Sequence, residues 1–282
     1  MLRLLTLLIP SLLFAVAARS QGGCQILDED GEVVPYAHVY LPTVQQGALT
    51  DEVGRFELPW EELAAATPIV FSCLNYEPVE STVGEVRAVG AAACTVRMPS
   101  KPYELGGVEV RADKMNFKSR ILGVPPPSRF SRLGYNSSGR GRGREFGVLI
   151  ENEGRCRLRD INVFVSNVSD IDSFHVEINL YAYANGTVGD KLQSERIFAT
   201  IMKEDANTLF PVPLPPTVSY MYIEGPFVAT VIMLDDLKKV TAMLEASPKK
   251  KYQGYHHRLD GTWAPIDMSP SISVVMECPE AR

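Results

Sequence analysis

The chain of 282 residues is poor in several things at once. It has two tryptophans, four histidines and five cysteines, and after residue 20 it holds no run of 18 apolar residues. A helix that crosses a bilayer needs about 20 apolar residues, so no such span is expected beyond the first segment. No two cysteines stand as C-x-x-C, which leaves out the common zinc and dithiol redox motifs. There is no Gly-x-Ser-x-Gly elbow, no glycine-rich phosphate loop after a strand and no clear pair of acids. Positive charge is not in excess: 28 Lys and Arg stand against 34 Asp and Glu, a net charge of −6. A general nucleic-acid binder carries a basic domain, so nucleic acid is not expected as a partner. These absences lead us to expect no cofactor, no resident metal and no catalytic residue.

What is present begins with an address. Residues 1–20 open Met-Leu-Arg, continue as an apolar run from Leu4 to Ala18 and end Arg19-Ser20. One positive charge, a short apolar stretch broken by Pro10 and small residues at Ala15, Ala17 and Ala18 form the three parts of a secretory signal peptide. Cleavage is expected after Ala17, Ala18 or Ser20. Cys24 follows closely, but the residue three before it is Gln21, where a lipid-attachment box has an aliphatic side chain. Export places the chain in an oxidising compartment, where cysteines are free to pair. Five is an odd number, so one thiol of Cys24, Cys73, Cys94, Cys156 and Cys278 stays unpaired in a monomer. Cys156 and Cys278 become partners if the first and last strands of the second domain are neighbours. The simpler expectation is five buried small hydrophobes.

The remainder has two textures. Residues 23–111 are short alternating runs cut by turns. Ala37, Val39 and Leu41 share one face of an extended segment. Asp28-Glu29-Asp30-Gly31 and Asp51-Glu52-Val53-Gly54 carry turn chemistry. Arg55–Leu58, Ile69–Cys73, Thr95–Met98 and Val108–Arg111 read as further strands of a sandwich. Residues 112–144 contain Pro125-Pro126-Pro127 and eight Lys or Arg against the single acid Asp113. They read as a basic, solvated linker partly laid over the second domain. From 145 to 282 the strand patterns lengthen: Phe146–Ile150, Asp160–Val165, His175–Tyr183, the nearly all-apolar Phe227–Met233, and Ser271–Cys278. The stretch Asp235–Ser247 fits either a helical face (Leu237, Val240, Leu244) or a strand (Val240, Ala242, Leu244, Ala246), and we read it as a strand after an Asp235-Asp236 turn. About eight such strands predict a jelly-roll-like sandwich. The fold class expected is all-β, in two β-sandwiches.

Three segments in the first domain form an ordered series: Val34-Pro35-Tyr36-Ala37-x-Val39, then Gly47-x-x-Thr50-Asp51-x-x-Gly54-x-Phe56-x-Leu58, then Phe71-Ser72-x-x-x-Tyr76. This series resembles the carboxypeptidase-regulatory-like domain, and Asn75 departs from it where the family usually has Gly. The resemblance implies a transthyretin-like, Ig-like sandwich of seven strands. It also implies a place in the envelope of a Gram-negative bacterium, in the periplasm or at the outer membrane. That domain is a regulatory appendage and not a peptidase. A zinc carboxypeptidase needs His-x-x-Glu. Three positions on from His38, His175, His256 and His257 lie Leu41, Ile178, Leu259 and Asp260. After residue 112 too little chain is left for a plug and a large membrane barrel. More loosely, Gly143-x-Glu145-x-Gly147, Val176-x-Ile178-x-Leu180-Tyr181, Tyr255-x-x-Arg258 and Gly261-x-Trp263 look like the jelly-roll partner of some freestanding envelope proteins.

The candidate contacts are few. Trp263, with Tyr252 and Tyr255 nearby, offers aromatic faces on which sugars stack. His175, Glu177, Asn179 and Tyr181 share one face of a strand, a polar row that meets a sugar or Ca²⁺ or else forms the wet face of a sheet. Asp170 and Asp172 supply oxygen ligands or turns. His256 and His257, beside Asp260, are adjacent on a strand and point to opposite faces, a poor arrangement for one metal ion. The expectation is a non-enzymatic binding protein, its partner a glycan or an envelope protein. The alternatives are a structural spacer or accessory subunit, and more remotely a hydrolase.

Overall fold

The structure is a computed structural model that describes residues 23–44, 46–88, 94–101, 116–126, 133–136, 144–166, 172–235, 243–258 and 261–280. The signal segment, the 108–111 strand, most of the basic linker, Asp170, Asp260 and residues 236–242 lie outside them. The described chain is nearly all β, in several sheets packed together.

Among the described residues, the first unit has seven strands: β1 (Cys24–Leu27), β2 (His38–Leu41), β3 (Gln46–Leu49), β4 (Arg55–Phe56), β5 (Pro68–Ser72), β6 (Val79–Thr82) and β7 (Thr95–Arg97). They form one sheet ordered β4-β1-β7 and one ordered β3-β2-β5-β6. Alternation explains the core: Ile26, Val39, Leu41, Phe56, Ile69 and Phe71 are buried between the sheets. Phe71 lies edge-on to Phe56 at 5.7 Å. The Thr-Asp-x-x-Gly-x-Phe series is a turn with a polar pin. Buried Thr50 Oγ1 accepts from Ala37 N at 2.7 Å and donates to Val34 O. Asp51 Oδ1 accepts from the amides of Val53 and Arg55. Gly54 sits at φ 72, where a Cβ would stand 2.8 Å from Ile26 O. Asn75 takes φ 71, a left-handed turn position that Asn tolerates better than other non-glycine residues. One helix was not foreseen, α1 (Val83–Ala88). Thr82 and Glu85 cap it reciprocally, side chain to backbone in each direction.

The second unit begins earlier than residue 145. β8 (Phe117–Gly123) and β9 (Leu133–Asn136) come from the stretch read as linker and are strands of a sheet. They are followed by β10 (Glu145–Ile150), β11 (Arg155–Ser166), β12 (Ser173–Ala184), β13 (Thr187–Lys191), β14 (Ile197–Met202), β15 (Leu209–Val212), β16 (Tyr222–Glu224), β17 (Phe227–Met233), β18 (Met243–Ser247), β19 (Gly254–His257), β20 (Trp263–Ile266), β21 (Ser269–Pro270) and β22 (Ile272–Pro279). One sheet runs β13-β12-β17-β10-β19-β20, with β14 also on β12. The other runs β21-β18-β11-β22-β8, with β15 and β16 on β11 and β9 on β18. The sheets enclose one core that includes Phe174, Ile178, Leu180, Phe227, Val231, Leu158, Ile161, Val274 and Met276.

Two disulfides replace the expected five thiols. Cys24 pairs with Cys94 beside the β1–β7 pairing, and Cys156 pairs with Cys278, from β11 and β22. Cys73 keeps a free, half-buried thiol, and burial pushes its pKa up.

The units meet through a built joint. Leu49 of β3 packs with Ile232 and Leu234, all three buried, and with Tyr36. Arg196 donates to the carbonyls of Pro35 (2.6 Å) and Tyr36 (3.0 Å) and grips the Glu177 carboxylate with both Nε and Nη2. Its guanidinium stands 4.3 Å from the centre of the Phe198 ring.

Candidate binding face

The face of the β13-β12-β17-β10-β19-β20 sheet that is turned away from the main core carries the groups with chemistry. Strand alternation sends Val176, Ile178 and Leu180 into the core and leaves Glu177, Asn179 and Tyr181 on the other side of β12. The register puts Glu145 opposite His257, and His257 opposite Trp263. It also aligns Gly147 with Thr230 and Thr230 with Asn179. Gly147 matters here, because a Cβ on it would stand 2.6 Å from Thr230 Cγ2 and 2.9 Å from Val228 Cγ1.

Glu145 is the hub. Its carboxylate accepts from Asn179 Nδ2 (3.0 Å), Tyr181 OH (3.2 Å) and Thr230 Oγ1, and pairs with His257 Nδ1 at 2.9 Å. Burial alone would raise its pKa. The hydrogen bond and charge of His257, the charge of Lys191 and the Thr230 hydroxyl outweigh burial and hold it at about 2. Gln193, also buried, donates to Asn179 Oδ1 (3.0 Å) and accepts from Leu180 N (2.9 Å). The second ring nitrogen of His257 faces Gly261 O at 3.2 Å.

Above this network lie the aromatics. Trp263 stacks on His257 (4.4 Å, 15°) and meets Tyr181 edge-on at 4.8 Å. Tyr255 OH donates to Tyr183 OH at 2.9 Å, and the two rings are 5.9 Å apart. Burial pushes the phenols of Tyr181 and Tyr255 up, with Glu145 adding to the first and Tyr183 to the second.

The residues singled out in the sequence do not form one site. Trp263 and Tyr255 share this face, with Trp263 on the edge strand β20. Glu177 is on the same face but is held by Arg196 at the joint. His175 pairs with Asp235 at 3.1 Å at the start of β12. Tyr252 packs against the main core, with Lys251 Nζ 4.5 Å from its ring centre. The row on β12 is not a wet face: Glu177, Asn179 and Tyr181 are 2%, 0% and 6% exposed. His256 turns to the opposite side and stacks on Phe146 at 4.9 Å. Among the described residues no three of His, Cys, Asp and Glu converge as metal ligands. No described helix is long and apolar enough to cross a membrane.

Sequence reasoning missed Glu145, Thr230, Gln193, His257 as a partner of Glu145, and Arg196. One signal was available. Thr230 is the single hydroxyl in the apolar Phe227–Met233 strand, and it faces the polar row of β12.

A scan against models of known protein families finds none that matches this chain, and a search of curated proteins finds no match.

Proposed function

We propose that this chain is an exported, non-enzymatic binding protein of the bacterial cell envelope, with a glycan as ligand. The observation that carries the reading is an aromatic cluster in which the half-buried Trp263 and Tyr183 rest on the buried rings of Tyr181 and Tyr255, backed by a closed polar network. Aromatic side chains with an apolar body and a polar tip suit a surface that meets an amphipathic ligand. The network beneath has the character of support. Each Glu145 oxygen is engaged and both His257 nitrogens face acceptors, so neither side chain is poised to move a proton to a substrate. Rigid support of that kind lowers the cost of ordering a binding surface. Two disulfides suit an oxidising compartment. The resemblance of residues 23–111 to the carboxypeptidase-regulatory-like domain implies a seven-stranded sandwich, and the described residues of that stretch supply seven strands in two sheets without the 108–111 segment.

The test is a glycan array probed with the purified protein and with Trp263→Ala. Binding by the parent that Trp263→Ala loses, with the far-ultraviolet circular dichroism of a folded protein retained, is the expected result. Equal binding by both proteins would move the site elsewhere, and no binding at all would overturn the glycan reading.

A further inference from the structure

The second sheet of the C-terminal unit ends in β8. That strand pairs with β22 along its whole length, from Gly123↔Ser273 to Phe117↔Pro279. Among the described residues no strand pairs with its other edge. An open edge offers a row of backbone donors and acceptors to an incoming chain. Lys118, Ser119, Arg120 and Ile121 are all exposed. Ile121, 76% exposed, is the most exposed large apolar side chain among the described residues, and it lies beside Val275.

The surface next to this edge is held by paired side chains. Arg157 is held between the rings of Phe117 (4.0 Å) and Tyr220 (5.1 Å) and hydrogen-bonds Glu277 through Nε at 2.6 Å. Arg159 also reaches Glu277, at 3.6 Å. Arg155 lies over Tyr222. Tyr220 is held at φ 65, an uncommon and costly conformation for a bulky residue, with half its surface exposed.

Charge selects among occupants. Between Phe117 and Gly123 the strand carries Lys118 and Arg120 and no acid. Two copies of β8 laid edge to edge would bring these cations together, and like charges across a strand pair are destabilising. The same cations favour an acidic strand. We propose that β8 is a docking edge for an extended acidic segment of another protein. That segment adds a strand to the sheet, its backbone pairs with β8, an apolar side chain covers Ile121 and Val275, and its carboxylates answer Lys118 and Arg120. The inference goes beyond the glycan platform and occupies the other sheet.

The experiment titrates the purified protein against labelled twelve-residue peptides and follows fluorescence anisotropy. One peptide alternates valine and glutamate, the second carries lysine for glutamate, and the third is the acidic peptide N-methylated at every second residue. Saturable binding of the acidic peptide alone is expected. The double variant Lys118→Glu/Arg120→Glu should weaken it at least about tenfold. Trp263→Ala should leave it unchanged, which separates this surface from the glycan site. A second variant, Ile121→Thr, keeps the strand and should weaken binding by a smaller factor. Failure of the acidic peptide to bind, binding that survives N-methylation, or binding indifferent to charge reversal would overturn the proposal. So would sedimentation of the parent as a dimer that charge reversal alters, since the occupant would then be a second copy.

Discussion

Two strongly shifted side chains contribute to how the protein responds to acid. Burial holds the imidazole of His38 down to about 4, against an ordinary value of 6.5. The unfolded chain therefore takes up a proton that the folded chain refuses. His38 contributes stability that is fully present above pH 6.5 and declines as pH falls toward 4, by at most about 1.4 kcal/mol per pH unit. Glu145, depressed from 4.5 to about 2, acts lower down: its contribution is present above pH 4.5 and is lost as pH falls through 2. Urea unfolding measured across this range should show both segments. His38→Gln should flatten the upper one, and Glu145→Gln the lower one only. Glu145→Ala should cost about 3–5 kcal/mol at pH 7, because it strands a buried network whose members were bonded to that carboxylate.

At the scale of the element, β10 shows what sequence pattern conveys and what it omits. Its alternation and its apolar content are plain in Phe146–Ile150, and so is a strand. What the pattern omits is register. The pairing of Glu145 with His257 joins positions 112 apart in the chain, and no local spacing marks such a pair. Gly147 reads in sequence as a weak spot in a strand, yet in the sheet it makes room for Thr230 and Val228. Gly147→Ala should therefore destabilise by about 1–3 kcal/mol through overpacking, read as a lowered urea midpoint with unchanged slope. The Thr50–Phe56 turn was legible because its information is local: a side-chain acceptor, a left-handed glycine and a returning aromatic within seven positions. β8 was hidden for the opposite reason. Its charges and the following prolines resemble a linker, and only the distant β22 gives it a partner. The aromatic pair Trp263 and Tyr255 was legible by residue type, whereas Tyr252 stands close to them in sequence and packs elsewhere.

At the scale of the whole molecule, the joint decides whether the two units act as one. Arg196 and Glu177 have side chains only 13% and 3% exposed, and Arg196 also holds two carbonyls of the first unit. A buried charge stripped of its partner is costly, while an apolar replacement of the pair is often tolerated. Arg196→Met and Glu177→Leu should each cost about 3–5 kcal/mol, and the double variant should cost much less than their sum. Calorimetry on the double variant should also separate the melting of the units, since the carbonyl contacts that couple them are gone.

Cys73 senses the charges of that joint from the first unit. Its thiol is half-buried, feels the charge of Arg196 and Glu177, and is kept protonated by burial, and the thiolate is the species that reacts with alkylating reagents. The rate at which a neutral reagent consumes it under native conditions therefore follows how far its surroundings let the thiol ionise and meet solvent. A single native sulfur atom in the first unit thus reports the charge and exposure set up around it, with no label introduced and both disulfides left intact.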